Sequence, residues 1–245
     1  MPFFDSINHA MATAGTGGFS VKQLSVGYYD SVYIDIVTSI FMLLFGVNFS
    51  VYFLLLVRKF KAALTDSEFL GYFGIALGAA VLIALDIIDE YGGFWNALRY
   101  SLFQVSSLMT TTGFATADFT LWPAFSKSIL RIVMLIGASA GSTGGGLKVS
   151  RVIIFFKCAA AELGRMLNPR RTVSIRVNGK AIATSTVHNT LVFISLYFLL
   201  TFVITALVSL DGYDFETTFA SVVSCMSNVG PGLGPAGPMG SFATH

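Results

Sequence analysis

The chain has 245 residues, of which 54% are apolar, 14% aromatic and only 11% charged. Soluble domains carry about 45–50% apolar and ~25% charged residues, and here the mean hydropathy is +0.74; a disordered chain and an ordinary soluble core are excluded, and the balance reads as a membrane protein. A net charge of +2 provides no basic face for nucleic acid, and Cys158 and Cys225, 67 residues apart in apolar stretches, suggest neither a disulfide framework nor a zinc site.

The chain opens with Met1-Pro-Phe-Phe-Asp-Ser, which lacks the basic region and cleavage site of a signal peptide. Phe3 to Met11 is apolar but too short to cross the ~30 Å hydrocarbon layer, which takes about 20 helical residues. Val32 to Val57 is long enough and is read as one span, followed by Arg58, Lys59 and Lys61. Phe69 to Ile88 is a second span, and Phe94 to Met109 another short apolar stretch. From Leu121 to Leu163 the chain stays mostly apolar, but the run Gly137-Ala-Ser-Ala-Gly-Ser-Thr-Gly-Gly-Gly146 has poor helix propensity. One helix broken at membrane depth is expected there. Asn189 to Leu210 is the last span and Phe215 to Met226 the last short stretch.

Eleven of the 15 basic residues lie in two regions: the three after the first span, and Lys148, Arg151, Lys157, Arg165, Arg170, Arg171, Arg176 and Lys180. The positive-inside tendency makes those regions cytoplasmic and puts 1–31, 89–122 and 211–245 on the outer side. Asp5, Asp30, Asp89, Glu90, Asp118, Asp211, Asp214 and Glu216 fall in these outer segments. Solvated loops are their plain reading, and a cation-concentrating mouth the sharper one.

Each outer segment holds a short apolar stretch that ends in small and hydroxyl residues around glycine, the pattern of a re-entrant half-helix. The anchors Gly18, Gly113 and Gly230 lie 95 and 117 residues apart, and each interval contains an outgoing span, a basic loop and a returning span. A half-helix that stops at membrane depth aims about −0.5 of an elementary charge from its C-terminal end toward the axis, which favours a cation. The extended chain after it can turn carbonyls inward to replace the ion's water. Glycine serves where the backbone needs positive φ or lies too close to the axis for a Cβ. Bare carbonyls are tolerable at that depth only along a wet path. No carboxylate lies in the three turns, so a large, weakly hydrated monovalent cation suits them better than calcium or magnesium. The expected ion-coordinating residues are Thr16, Gly17, Gly18, Thr111, Thr112, Gly113, Asn228, Val229 and Gly230.

Ala14-Gly-Thr-Gly-Gly-Phe-Ser20, Thr110-Thr-Thr-Gly-Phe114, Ser227-Asn-Val-Gly230 and Ala140-Gly-Ser-Thr-Gly-Gly-Gly-Leu-Lys148 together resemble the Trk/Ktr/HKT superfamily of potassium transporters, the bacterial TrkH type most closely. The resemblance runs along essentially the whole chain. It implies an all-α membrane protein of potassium-channel type, with four span–pore-helix–span repeats around one potassium path in the bacterial cytoplasmic (inner) membrane. It also implies a gate after the third filter, here Gly137, Gly141, Gly144, Gly145, Gly146 and Lys148. Potassium would be the transported ion, with no cofactor. A homodimer and a cytosolic nucleotide-binding subunit of TrkA type would be the partners, apart from membrane lipid. On the family's order, 1–60 is the pore helix, filter and second span of repeat two, 61–165 is repeat three, and 166–245 is the cytoplasmic basic loop, first span, pore helix and filter of repeat four. The first repeat, the first span of the second and the last span of the fourth are then to be supplied by a longer chain or another polypeptide.

Single residues carry further expectations. Lys148, directly after the glycine run, is read either as tuning the ion path from below or as snorkelling to the cytoplasmic face. Lys127 and Arg131 are expected to pack with Asp118, Asp35 and Asp86 to be hydrated or paired near span ends, and Tyr91, Trp95 and Trp122 to form an interfacial belt. Gly137-Ala-Ser-Ala-Gly141 also satisfies G-x-S-x-G, so an intramembrane serine hydrolase using Ser139 with His188 as base is one alternative. A secondary transporter with discontinuous helices is another.

Overall fold

The computed structural model describes residues 1–168 and 174–238. Arg170 and Arg171 of the basic loop lie outside the described residues. Among the described residues, ten α-helices run in chain order: α1 (Phe3–Ala14), α2 (Val32–Phe45), α3 (Phe49–Leu56), α4 (Phe60–Leu64), α5 (Ser67–Asp86), α6 (Phe94–Met109), α7 (Ala124–Ile136), α8 (Val149–Leu167), α9 (Thr184–Val208) and α10 (Phe215–Ser227). The all-helical expectation holds apart from one small hairpin, β1 (Arg176–Val177) with β2 (Lys180–Ala181). Its turn, Asn178-Gly179, has positive φ at both residues, as a two-residue hairpin requires.

Among the described residues, two helices have the length and apolarity to cross a membrane: α5, and α9 continued to Asp211. The expected single span from Val32 to Val57 is instead two helices meeting at 89°. Two residues shape the break. A Cβ at Gly46 would collide with the Tyr72 hydroxyl and Thr110, and Asn48 caps α3 by accepting from the Ser50 N–H. The glycine run likewise separates two distinct helices, α7 and α8.

The centre of the molecule is α5 and α6 packed along each other, with α7 against both and α2 against α6. Small residues on α5, Ala76, Ala80 and Ala84, are buried and allow this close approach, while Tyr72, Ile83, Leu108, Met109 and Leu130 fill the remaining volume. α9 keeps most of its apolar face exposed, consistent with a lipid-facing span.

Lys127 and Arg131 sit differently from expectation, whereas Asp35 and Asp86 are paired as expected. Lys127 and Arg131 both pair with Glu216 of α10, and Asp118 instead caps the turn at Thr120. The reason is topological, since α10 packs on α7 and brings its first turn to these cations. Asp35 is buried and bound to Arg99 at 2.6 Å, and Asp86 accepts from the Ser126 N–H and hydroxyl. Tyr91 and Trp122, expected in an interfacial belt, pair with each other. The Trp122 indole N–H donates to the Tyr91 hydroxyl at 2.9 Å and the indole is buried, whereas Trp95 is exposed.

Candidate functional site

The three short apolar stretches are half-helices of 12, 16 and 13 residues, α1, α6 and α10. Their C-terminal turns have one construction. Thr16, Thr111 and Asn228 donate to carbonyls three residues back, those of Thr13, Leu108 and Cys225. Gly17, Thr112 and Val229 donate five residues back, to Ala12, Ser107 and Ser224, at 2.8, 2.9 and 2.8 Å. This is the Schellman pattern, which closes a helix with a left-handed residue. That residue is glycine in most proteins, but here it is Thr16 (φ 48°), Thr111 (φ 57°) and Asn228 (φ 60°). Left-handed backbone costs a non-glycine residue roughly 1–2 kcal/mol, so three repetitions mark an imposed shape. Gly18, Gly113 and Gly230 then take positive φ as well, two residues further on. The sequence pointed to the glycines; nothing about threonine, a β-branched residue, pointed to the strained position in the first two turns, whereas Asn228 in the third is of a type that tolerates it.

The turns converge. A Cβ on Gly18 would run into the Thr112 carbonyl, and one on Gly113 into the Val229 carbonyl, each well inside the 3.0 Å that real Cβ atoms keep. Gly230 meets no described atom within 4 Å. Eight of the nine expected coordinating residues, Thr16, Gly17, Gly18, Thr112, Gly113, Asn228, Val229 and Gly230, line one cavity of about 660 Å³. Thr111 does not line it. Its hydroxyl turns toward the glycine run and accepts from the Gly145 N–H at 2.7 Å. Among the described residues, no carbonyl oxygen at 16–18, 111–113 or 228–230 accepts a hydrogen bond. Thr16, Thr111, Thr112 and Val229 are buried, and carbonyls of buried residues normally find a partner.

The glycine run lies directly against the inner ends of two turns. A Cβ on Gly144 would sit 2.7 Å from the Thr110 carbonyl, and one on Gly145 would overlap that of Ser227. Gly137, Gly141 and Gly146 all have positive φ, and the ends of the run close on each other through Leu147 N–H to Leu135 carbonyl and Val149 N–H to Ala138 carbonyl, both 3.0 Å. Lys148 does not snorkel: its ammonium turns back and donates to the Gly144 and Ser139 carbonyls. The elbow between α2 and α3 holds the other side, with Ser139 N–H on the Gly46 carbonyl and Phe49 N–H on that of Gly141. Glu68, buried at the start of α5, accepts from Ala140 N–H, Ser150 N–H and the Asn48 side chain. Sequence reading passed over Glu68 and Asn48; a carboxylate beside an apolar span and an asparagine inside one were the available signals.

The outer mouth is less acidic than its sequence. Asp5 is buried, accepts from the Tyr29 hydroxyl at 2.6 Å and faces Lys22 at 3.6 Å. Burial and the Asp5 carboxylate push the Tyr29 hydroxyl up to about 12, so it stays a donor. Asp214 caps α10, and the Thr217 hydroxyl and N–H hold its carboxyl below the usual range. With Glu216 and Asp118 also engaged, a mouth field rests on few free carboxylates.

The hydrolase alternative has no geometry. Ser139 is buried with its hydroxyl unpaired, and His188 is exposed on α9. Among the described residues, no cluster of side chains suits a metal ion.

Known proteins share this architecture. The family model for the TrkH cation transport protein matches residues 1–83 and 95–244. The Trk system potassium uptake protein TrkH of Salmonella typhimurium is 38% identical over 237 residues, 96% of this chain and 49% of that protein. The Escherichia coli K12 protein of the same description is 37% identical with the same coverage. The crystal structure of the potassium transporter TrkH from Vibrio parahaemolyticus matches with a TM-score of 0.90 at 34% identity, over 96% of this chain and 52% of that one. The chain thus spans about half the length of the curated relatives it matches. On sequence and fold together, it belongs to the TrkH family of cation transport proteins.

Proposed function

We propose that this chain forms the larger part of a potassium path across the bacterial cytoplasmic membrane, in which main-chain oxygens of three convergent turns replace the ion's hydration shell. The observation that carries this reading is the set of carbonyls at 16–18, 111–113 and 228–230, which accept no hydrogen bond among the described residues and all but one of whose residues line one cavity. The half-helices α1, α6 and α10 end at these turns, so their C-terminal partial charges add to the attraction for a cation. Thr16, Gly17, Gly18, Thr112, Gly113, Asn228, Val229 and Gly230 form the filter, and Thr111 joins it to the gate. Gly137 to Gly146 with Lys148 is that gate. It lies across the inner side of the filter, so the path conducts when the glycine run moves aside.

Chemistry is confined to removing and restoring water around potassium, and no cofactor takes part. The three half-helices support a division into repeats at 1–60, 61–165 and 166–245, and the family resemblance supports a homodimer. Lys157, Arg165, Arg176 and Lys180 on the α8 side give a basic cytoplasmic surface to a nucleotide-binding subunit of TrkA type. The test is Gly113→Ser in protein expressed from its full reading frame, read as rubidium and sodium uptake into vesicles. A side chain there meets the Val229 carbonyl, so preference for rubidium over sodium falls; unchanged preference sinks the filter assignment.

A further inference from the structure

We propose that Glu68 is a latch that keeps the glycine run across the filter, a positioning residue for gating that touches no ion itself. This rests on the transport reading above. Three elements meet at its carboxylate. One oxygen accepts from the Ala140 N–H at 2.6 Å, inside the glycine run, and from the Ser150 N–H at 3.2 Å, in the first turn of α8. The other accepts from the Asn48 side chain at 3.1 Å, at the elbow that joins α2 to α3. The residue is 8% exposed, and a buried carboxylate persists only where donors replace its water. The first turns of α5 and α8 add favourable helix-end charge.

The arrangement grips the run from both ends of its peptide dipoles. Glu68 takes an N–H at Ala140, while the Lys148 ammonium takes the carbonyls of Ser139 and Gly144. The run supplies little rigidity of its own, having five glycines among ten residues. Its position is therefore set by what holds it. Asn48 and the α8 N-terminus anchor Glu68 to parts that do not belong to the run, so withdrawing the run breaks the Ala140 bond and leaves the other two in place. That is how a latch differs from a structural brace.

Glu68→Gln and Glu68→Ala in protein from the full reading frame test this, through rubidium uptake into vesicles without any cytosolic partner, rubidium-over-sodium preference, and the melting of detergent-solubilised protein followed by monodispersity. The glutamine keeps the shape and one accepting oxygen but loses the charge, and it sets an amide against the Asn48 donor. Uptake without the partner rises about tenfold, the factor expected on losing a charge-assisted hydrogen bond, more for alanine than for glutamine, with ion preference unchanged because the filter is untouched. Folded variants with uptake equal to or below the unsubstituted protein overturn the latch, as does collapse of both variants, which assigns Glu68 to folding alone. If the unsubstituted protein carries no rubidium, the transport reading falls and takes the latch with it; conducting protein with insensitive variants removes the latch only.

Discussion

Gly18→Ala tests the convergence of the turns most directly. Two penalties add at this position. The residue has φ +66°, a conformation that costs a non-glycine residue about 1–2 kcal/mol. The new methyl would also lie more than an ångström inside the 3.0 Å limit from the Thr112 carbonyl. Overpacking of that kind costs typically about 1–3 kcal/mol, and the obstacle is backbone that has no rotamer to escape into. The total of about 2–5 kcal/mol falls on two adjacent turns at once. On the proposed filter reading, displacing the Thr112 oxygen also disturbs the cage that would separate ions, and a tenfold loss of preference corresponds to only about 1.4 kcal/mol between two ions. Gly74→Ala is the control, because Gly74 sits in α5 at ordinary φ with nothing within 4 Å, so alanine there is neutral or slightly stabilising. Rubidium and sodium uptake into vesicles, with melting of the solubilised protein, reads both variants. The reasoning is refuted if Gly18→Ala matches Gly74→Ala in melting and in ion preference.

Other sites give independent checks. Arg99→Ala strands the buried Asp35 carboxylate between α2 and α6 and lowers stability by about 3–5 kcal/mol, whereas replacing both partners by leucine recovers most of it in the same melting assay. Tyr197→Phe removes the hydroxyl bonded at 2.7 Å to Ser227, just before the third turn, and costs about 1 kcal/mol in thermal melting. Asp214→Ala removes the α10 cap for about 1 kcal/mol at neutral pH. Because the folded carboxyl of Asp214 titrates below its ordinary value, its contribution is fully present above the unfolded pKa and fades as pH falls through the folded one. Melting of the two proteins therefore converges in acid.

The half-helices were legible because each apolar stretch stops short of a span and ends in the same kind of residues at a repeated spacing, a pattern that survives without knowledge of neighbours. The 89° elbow was not, since Gly46 and Asn48 are embedded in 26 apolar-dominated residues and the groups packed against Gly46, the Tyr72 hydroxyl and Thr110, come from far along the chain. Composition put Tyr91 and Trp122 at an interface, yet each satisfies the other's polar atom and so is free to be buried. Glu68 escaped notice for a related reason. Its three donors come from the elbow, the glycine run and α8, and none is near it in sequence.

On the proposed reading, filter and gate are joined by a hydrogen bond, and this constrains how the gate can move. Thr111 has left-handed backbone in the second turn while its hydroxyl accepts from Gly145 in the run below. Gly145 in turn leaves no room for a side chain beneath the Ser227 carbonyl, where the third turn begins. A displacement of the run therefore breaks a bond to the residue whose conformation shapes the middle turn. The strain stored in Thr111 is held by the Schellman bonds above it, which do not involve the run, and those bonds recur unchanged in the first and third turns. The three turns are thus closed by their own half-helices, and the glycine run rests against a filter that stands without it. Opening then asks the protein to break contacts at Ala140, Gly145 and Lys148 while the ion-facing oxygens stay where they are.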